Sequence, residues 1–181
     1  MSNSSTLLLC IDLQPGFLQA IPARTEVLKR ASFAIEAARG LGLPLLFTEQ
    51  VPAKLGGTAP ELLALAGDAV ALDKDSFSAL ADDKIAEHIA SLGVEHLLIC
   101  GIETPVCVYQ TSLDARRLDY QVTLLTDAVG ARRPDDANAV LAELIRAGCH
   151  ALPSESVFYA LLHDARHPFF RAYTTLVKKY G

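Results

Sequence analysis

Four cysteines occur in the 181 residues, and one of them stands apart by its setting. His96 to Cys100 is a short apolar run bounded by Gly101, which predicts a buried strand. From Pro105 to Leu118, apolar or small residues at Val106, Val108, Tyr109, Leu113, Ala115 and Leu118 make a rough helical stripe, and Pro105 suits the first turn, where a missing N–H costs nothing. Cys107 is therefore expected at a helix N-terminus. Unpaired backbone N–H groups and the helix dipole there favour a thiolate, the form in which cysteine attacks an electrophilic carbon. Cys10 and Cys100 lie inside apolar strands and, with Cys149, read as buried inert thiols. No C-x-x-C pair is present.

Two further residues carry chemistry. Leu7 to Ile11 is continuously apolar, as a central parallel strand covered on both faces must be. Asp12 falls at its C-terminal edge, where ligands gather in open parallel sheets, although an isolated Asp before Pro15 and Gly16 also reads as a turn cap. Ala69 to Leu72 predicts a short edge strand leading into Asp73-Lys74-Asp75-Ser76-Phe77. A lysine between two aspartates is ordinarily a solvated surface charge.

The remaining elements must carry these groups. Helices are expected over Glu26–Leu41, Ala81–Leu92, Ala137–Ala147, Ser154–Leu162 with Ser154 as its cap, and His167–Tyr180. Strands are expected over Leu43–Thr48, Gln121–Thr126 and Cys149–Leu152, with Arg132 to Asp136 in a loop. About six strands alternating with helices give an α/β fold, a three-layer α/β/α arrangement around a doubly wound, six-stranded parallel sheet of Rossmann-like form. The whole chain, 1–181, is expected to be one domain.

Composition narrows the partners. A net charge of −5 without a basic cluster gives no footprint for nucleic acid or an anionic membrane. No apolar run reaches the ~20 residues that span a bilayer. Ser2 to Thr6 carries no basic residue of the kind that opens a secretory leader, so the expected location is cytoplasmic. His163 and His167 are separated from helical i,i+4 pairing by Pro168, and no third ligand is implied.

Three separated stretches, TLLLCIDLQPGFL from Thr6, ALDKDSFSAL from Ala71 and GIETPVCV from Gly101, occur in an order that resembles the isochorismatase-like cysteine hydrolase family. Further similarity in TEQVPAKLG (Thr48 to Gly56) and SESVFYALLHDARHPFF (Ser154 to Phe170) resembles the isochorismatase domain-containing branch. The resemblance implies that Asp12, Lys74 and Cys107 are catalytic. Asp12 would accept the thiol proton, Lys74 would stabilise the thiolate, and the sulfur would form a thioester-type intermediate. It further implies an oxyanion hole from the backbone N–H groups of Glu103 and Cys107. The family bends this turn with a cis peptide, which by position is Ile102–Glu103, with Thr104–Pro105 as the other place for one. Members called nicotinamidases hold zinc with Asp and His after the second strand. This chain has no His before His88, so neither metal nor other cofactor is expected.

Pocket candidates are Phe17, Leu18, Leu55, Phe77, Glu103, Thr104 and Tyr109. No arginine stands beside the motifs to bind a dicarboxylate such as isochorismate. The expected reaction is accordingly hydrolysis of a C–N bond in a small amide-like or carbamoyl substrate. Vinyl ether hydrolysis, a non-catalytic binding protein on the same fold, and a redox thiol protein are the alternatives. A homo-oligomer, dimer or larger, is implied by the family alone.

Overall fold

The structure, a computed structural model, describes residues 5–181. Residues 1–4, on which the reading of the N-terminus partly rests, lie outside the described residues. Six strands, β1 (Thr6–Ile11), β2 (Leu45–Gln50), β3 (Val70–Lys74), β4 (His96–Ile102), β5 (Gln121–Gly130) and β6 (His150–Leu152), form one sheet in the order β3-β2-β1-β4-β5-β6. Every neighbouring pair is parallel. The expected doubly wound sheet is therefore the observed one.

Strand alternation explains the two cores. Leu8, Cys10, Leu98, Cys100 and Ile102 face one side, and Leu7, Leu9, Ile11, Leu97 and Ile99 face the other, all fully buried. The first side is covered by α2 (Arg24–Gly40), α4 (Pro60–Ala66), α8 (Ser154–Leu162) and α9 (Phe170–Tyr180), after the one-turn α1 (Pro15–Leu18) and α3 (Pro52–Leu55). The second is covered by α5 (Asp83–Ser91), α6 (Tyr109–Arg117) and α7 (Pro134–Arg146). Among the described residues, no helix is long and apolar enough to cross a membrane.

Prolines mark the helix starts that hydrophobic periodicity missed. Pro15, Pro52, Pro60 and Pro134 stand in the first turns of α1, α3, α4 and α7, so α7 begins inside the stretch expected as loop. Ser154 does not cap α8 with its side chain. It lies in the first turn, its N–H donating to Asp127 Oδ1 (2.8 Å) and its hydroxyl to Asp127 Oδ2 (2.7 Å). Arg30 reaches across from α2 to Asp127 Oδ2 (2.7 Å), Ser154 Oγ (2.7 Å) and the Tyr180 carbonyl (3.3 Å), joining α2, β5, α8 and α9 in one network.

Gly101 was expected to end β4, yet the strand runs on to Ile102 with an irregular register between Ile99 and Gly101. The glycine is needed for passage rather than termination. Its φ is +123°, and a Cβ there would overlap the Ile11 carbonyl on β1. Gly93 (φ +62°) has open space where a Cβ would go. Gly101→Ala is accordingly expected to lower the urea midpoint by the equivalent of about 3 kcal/mol or more, and Gly93→Ala by only about 1–2 kcal/mol of backbone strain. Equal losses would contradict this account of Gly101.

Candidate active site

The strand order reverses between β1 and β4, so the crevice at their carboxyl ends is where side chains from several strands can meet. Asp12 is the first residue past β1 and takes a left-handed backbone (φ 51°). Its N–H donates to the Thr48 carbonyl (3.1 Å), and the Thr48 hydroxyl donates to Oδ1 (2.7 Å). These contacts from β2 fix the carboxylate so that Oδ2 faces Lys74.

Lys74 ends β3, and its side chain is fully buried, at 2.8 Å from Asp12 Oδ2. The sequence made it a surface residue by type. Its burial is possible because acceptors surround the ammonium: Gln50 Oε1 (2.6 Å), the Ser76 carbonyl (3.1 Å) and the Phe77 carbonyl (3.3 Å) join Asp12. Cys107 Sγ lies 3.8 Å away. Three N–H groups thus face more acceptors than they have protons, which is what a buried charge requires.

Gln50 is one residue that sequence reasoning missed. It ends β2, and its Oε1, besides accepting from Lys74, is 4.0 Å from Cys107 Sγ. Its Nε2 donates to the Asp75 carbonyl (2.9 Å), and its backbone is clasped by the Gln14 amide. The available signal was its position, at a strand's carboxyl end like Asp12 and Lys74.

Cys107 sits in a wide π-type turn, Thr104–Val108, that precedes α6. The Glu103 carbonyl accepts from the Val106 and Val108 amides (3.0 and 3.2 Å). The Thr104 hydroxyl ties the turn to the Gly130 carbonyl (3.1 Å), and the cis peptide is Ile102–Glu103. The expected helix-terminal setting suggested a thiolate, but the thiol is pushed up to about 12. Burial is the main cause and the Asp12 charge adds to it, with Lys74 opposing both. The resting group near neutral pH is a thiol.

A cavity of about 300 Å³ opens above the sulfur, walled by Phe17, Phe77, Ile102 and Val106, with Gln50, Glu103 and Arg132 as polar neighbours. Phe17, Phe77 and Glu103 were candidates from sequence. Leu18 instead is buried in the core on the α2 side of the sheet, and Thr104 is fully buried with its hydroxyl on the Gly130 carbonyl. Leu55 lies in α3, and Tyr109 opens α6 and packs on the core of that face; neither lines the cavity. Arg132, remote from the motifs in sequence, is delivered by the end of β5. Its Nε donates to Glu103 Oε1 (2.8 Å) and its backbone N–H to Oε2 (3.2 Å). Among the described residues, no cluster of three or more His, Cys, Asp or Glu is arranged to hold a metal ion.

The family model described as Isochorismatase domain matches residues 6–156. The chain belongs to the isochorismatase family. Isochorismatase domain-containing protein 2 of Xenopus laevis is 36% identical over 170 residues, covering 93% of this chain and 81% of that protein. Among solved structures, the MAR1 ribonuclease from Caenorhabditis elegans has a TM-score of 0.93 at 29% identity, covering 98% of this chain and 92% of that one. The YcaC gene product from Escherichia coli, described as an octameric hydrolase of unknown specificity, has the same fold, with a TM-score of 0.86 at 22% identity over 99% of this chain and 95% of that one. Isochorismatase-family membership makes the chain a member of a hydrolase fold family.

The buried thiol of this isochorismatase-family site has a testable pH signature. Iodoacetamide alkylation of Cys107, followed on its peptide by mass spectrometry, is expected to rise about tenfold per pH unit from about pH 7 to 10 without levelling. Asp12→Asn removes a negative charge that disfavours the thiolate, and is expected to speed alkylation at pH 8. A plateau below pH 8 in the wild type would contradict the assignment.

Proposed function

We propose that the chain is a cysteine hydrolase of small amide-like or carbamoyl compounds, with Cys107 as nucleophile, Asp12 as general acid and base, and Lys74 as the cation between them. The observation that carries this reading is one buried ammonium 2.8 Å from a carboxylate and 3.8 Å from a thiol that lines a cavity.

Because the resting sulfur is protonated, attack and deprotonation are coupled. As Sγ bonds to the substrate carbonyl carbon, its proton passes to Asp12, and the negative charge leaves the carboxylate for the substrate oxygen. Backbone N–H groups of Glu103 and Cys107 receive that oxyanion. The C–N bond then breaks, and Asp12 returns the proton to the departing nitrogen. Water enters, Asp12 takes a proton from it, hydroxide adds to the thioester, and collapse of the adduct releases the acid and restores the thiol. Lys74 keeps its charge throughout, which holds Asp12 in place and lowers the energy of sulfur anion character.

A cavity of about 300 Å³ is at the lower end of ligand-pocket sizes and supports a small substrate. Self-association into a homo-oligomer belongs to the same proposal and is read by light scattering.

Wild type and Cys107→Ala are to be compared on primary amides, carbamoyl compounds, isochorismate and RNA, with intact-protein mass spectrometry. The expected result is turnover of an amide or carbamoyl compound by the wild type alone, with an acyl adduct on Cys107. Asp12→Asn is expected to lower kcat by roughly 10²–10⁴-fold. Turnover that survives Cys107→Ala, or neither product nor adduct anywhere in the panel, would overturn the proposal.

A further inference from the structure

Among the described residues, no other cysteine reaches Cys107. Cys10 and Cys100 touch one another, Sγ to Sγ 3.5 Å, in the core on the opposite face of the sheet, and Cys149 precedes β6 at the sheet's amino edge. A sulfenic acid formed on Cys107 would therefore have no partner thiol with which to close a disulfide. What it does meet is a nitrogen. Lys74 Nζ stands 3.8 Å from Sγ and donates to it.

Three features suit that nitrogen to bond the sulfur. Asp12, Gln50 and the Ser76 and Phe77 carbonyls hold the buried ammonium beside Cys107, and the flexible stem of lysine lets Nζ close the remaining gap. Asp12 Oδ2, 2.8 Å from Nζ, is placed to take the proton that an ammonium must lose before its lone pair can attack. The same carboxylate accepts from the thiol. Finally, the sulfur lines the cavity of about 300 Å³, so an oxidant little larger than water can reach it.

We infer that Cys107 and Lys74 form a reversible redox modification site, in which hydrogen peroxide oxidises the sulfur and the lysine condenses with it to a sulfenamide, a covalent Sγ–Nζ bond. This does not depend on which bond the site hydrolyses. In the first step Sγ attacks a peroxide oxygen, its proton passes to Asp12, and the O–O bond breaks. The departing hydroxide takes that proton back as water, and the sulfur, having given two electrons, carries a hydroxyl. Lys74 then loses one proton to Asp12, its lone pair forms the N–S bond, and the S–O bond breaks. The leaving hydroxide takes a second proton from the nitrogen as another water. One ammonium proton stays on Asp12, so both buried charges vanish together and neither is left alone in the core. A thiol reductant reverses the bond: one thiol takes the sulfur into a mixed disulfide, the amine recovers its proton from Asp12, and a second thiol frees Cys107. The link would hold the site inactive and shield the sulfur from irreversible oxidation.

The test treats the folded wild-type chain with excess hydrogen peroxide, blocks free thiols with iodoacetamide under denaturing conditions, and maps non-reduced tryptic peptides by mass spectrometry. The expected result is loss of Cys107 labelling, loss of cleavage after Lys74, and a new species in which the Lys74 and Cys107 peptides are joined with two hydrogens fewer than their sum. Dithiothreitol is expected to restore both separate peptides. The same treatment in urea is expected to give no joined species, a comparison that needs no variant. Lys74→Arg keeps a cation but offers no amine, and is expected to give sulfinic or sulfonic acid at Cys107 instead. Any of four outcomes in the folded wild type would overturn the inference: Cys107 recovered as sulfinic or sulfonic acid with Lys74 free, a disulfide to another cysteine, a bond from sulfur to a backbone nitrogen, or Cys107 unchanged while glutathione in the same tube is oxidised. Formation of the link without any hydrolysis across the amide and carbamoyl panel would keep this site and reject the hydrolase reading.

Discussion

The site depends on the buried ion pair between Lys74 and Asp12. Neither side chain reaches solvent. Removing two charges from water costs several kcal/mol per ion, and their attraction offsets that only when the remaining hydrogen-bonding capacity is met. The surrounding structure meets it. Thr48 satisfies the other carboxylate oxygen, while Gln50 and two carbonyls of the loop after β3 surround the ammonium. The pair thereby locks the ends of β1, β2 and β3 to one another, and the turn that follows β4 brings Cys107 against it. A parallel sheet is suited to this, since all its strand ends emerge on one edge.

That arrangement also decides the state of Cys107, the proposed nucleophile. A helix terminus and a nearby lysine both favour a thiolate, and on those grounds the sequence suggested one. Burial and the adjacent carboxylate outweigh them, and the thiol is pushed up to about 12. The result is a site in which Asp12, the proposed base, already lies beside the thiol. It also protects the sulfur, because a buried neutral thiol reacts slowly with oxidants and electrophiles that do not occupy the pocket.

Much of the fold was legible because it rests on burial patterns. Five apolar residues from Leu7 and another run from His96 read as central strands, and the alternation of strands with amphipathic helices gave the layer order. The short helices were not legible. Their signal was a proline at the first turn, and each is too short to display a hydrophobic stripe. Gly101 was misread as a terminator because a glycine that ends a strand and one that lets two strands approach look identical in sequence. In the site, Lys74 was identified by family resemblance against its own local pattern, since nothing in Asp73-Lys74-Asp75 reveals that a carboxylate 62 positions earlier meets it. Gln50 and Arg132 were not found. Gln50 lies within the TEQVPAKLG similarity but nothing there marks it out, Arg132 follows β5 outside any of the motifs, and their positions at the cavity follow from the crossover topology rather than from neighbouring residues.

The most direct test of this account is a double-mutant cycle on stability with Asp12→Asn, Lys74→Met and the two combined, measured by urea denaturation. Each single change is expected to destabilise by about 3–5 kcal/mol, because it leaves the other charge buried and alone. The combined variant is expected to lose less than the sum of the singles by ~2 kcal/mol or more, as groups in one network do. Additive losses would mean that the two charges are stabilised independently, and that the ion pair does not organise the site.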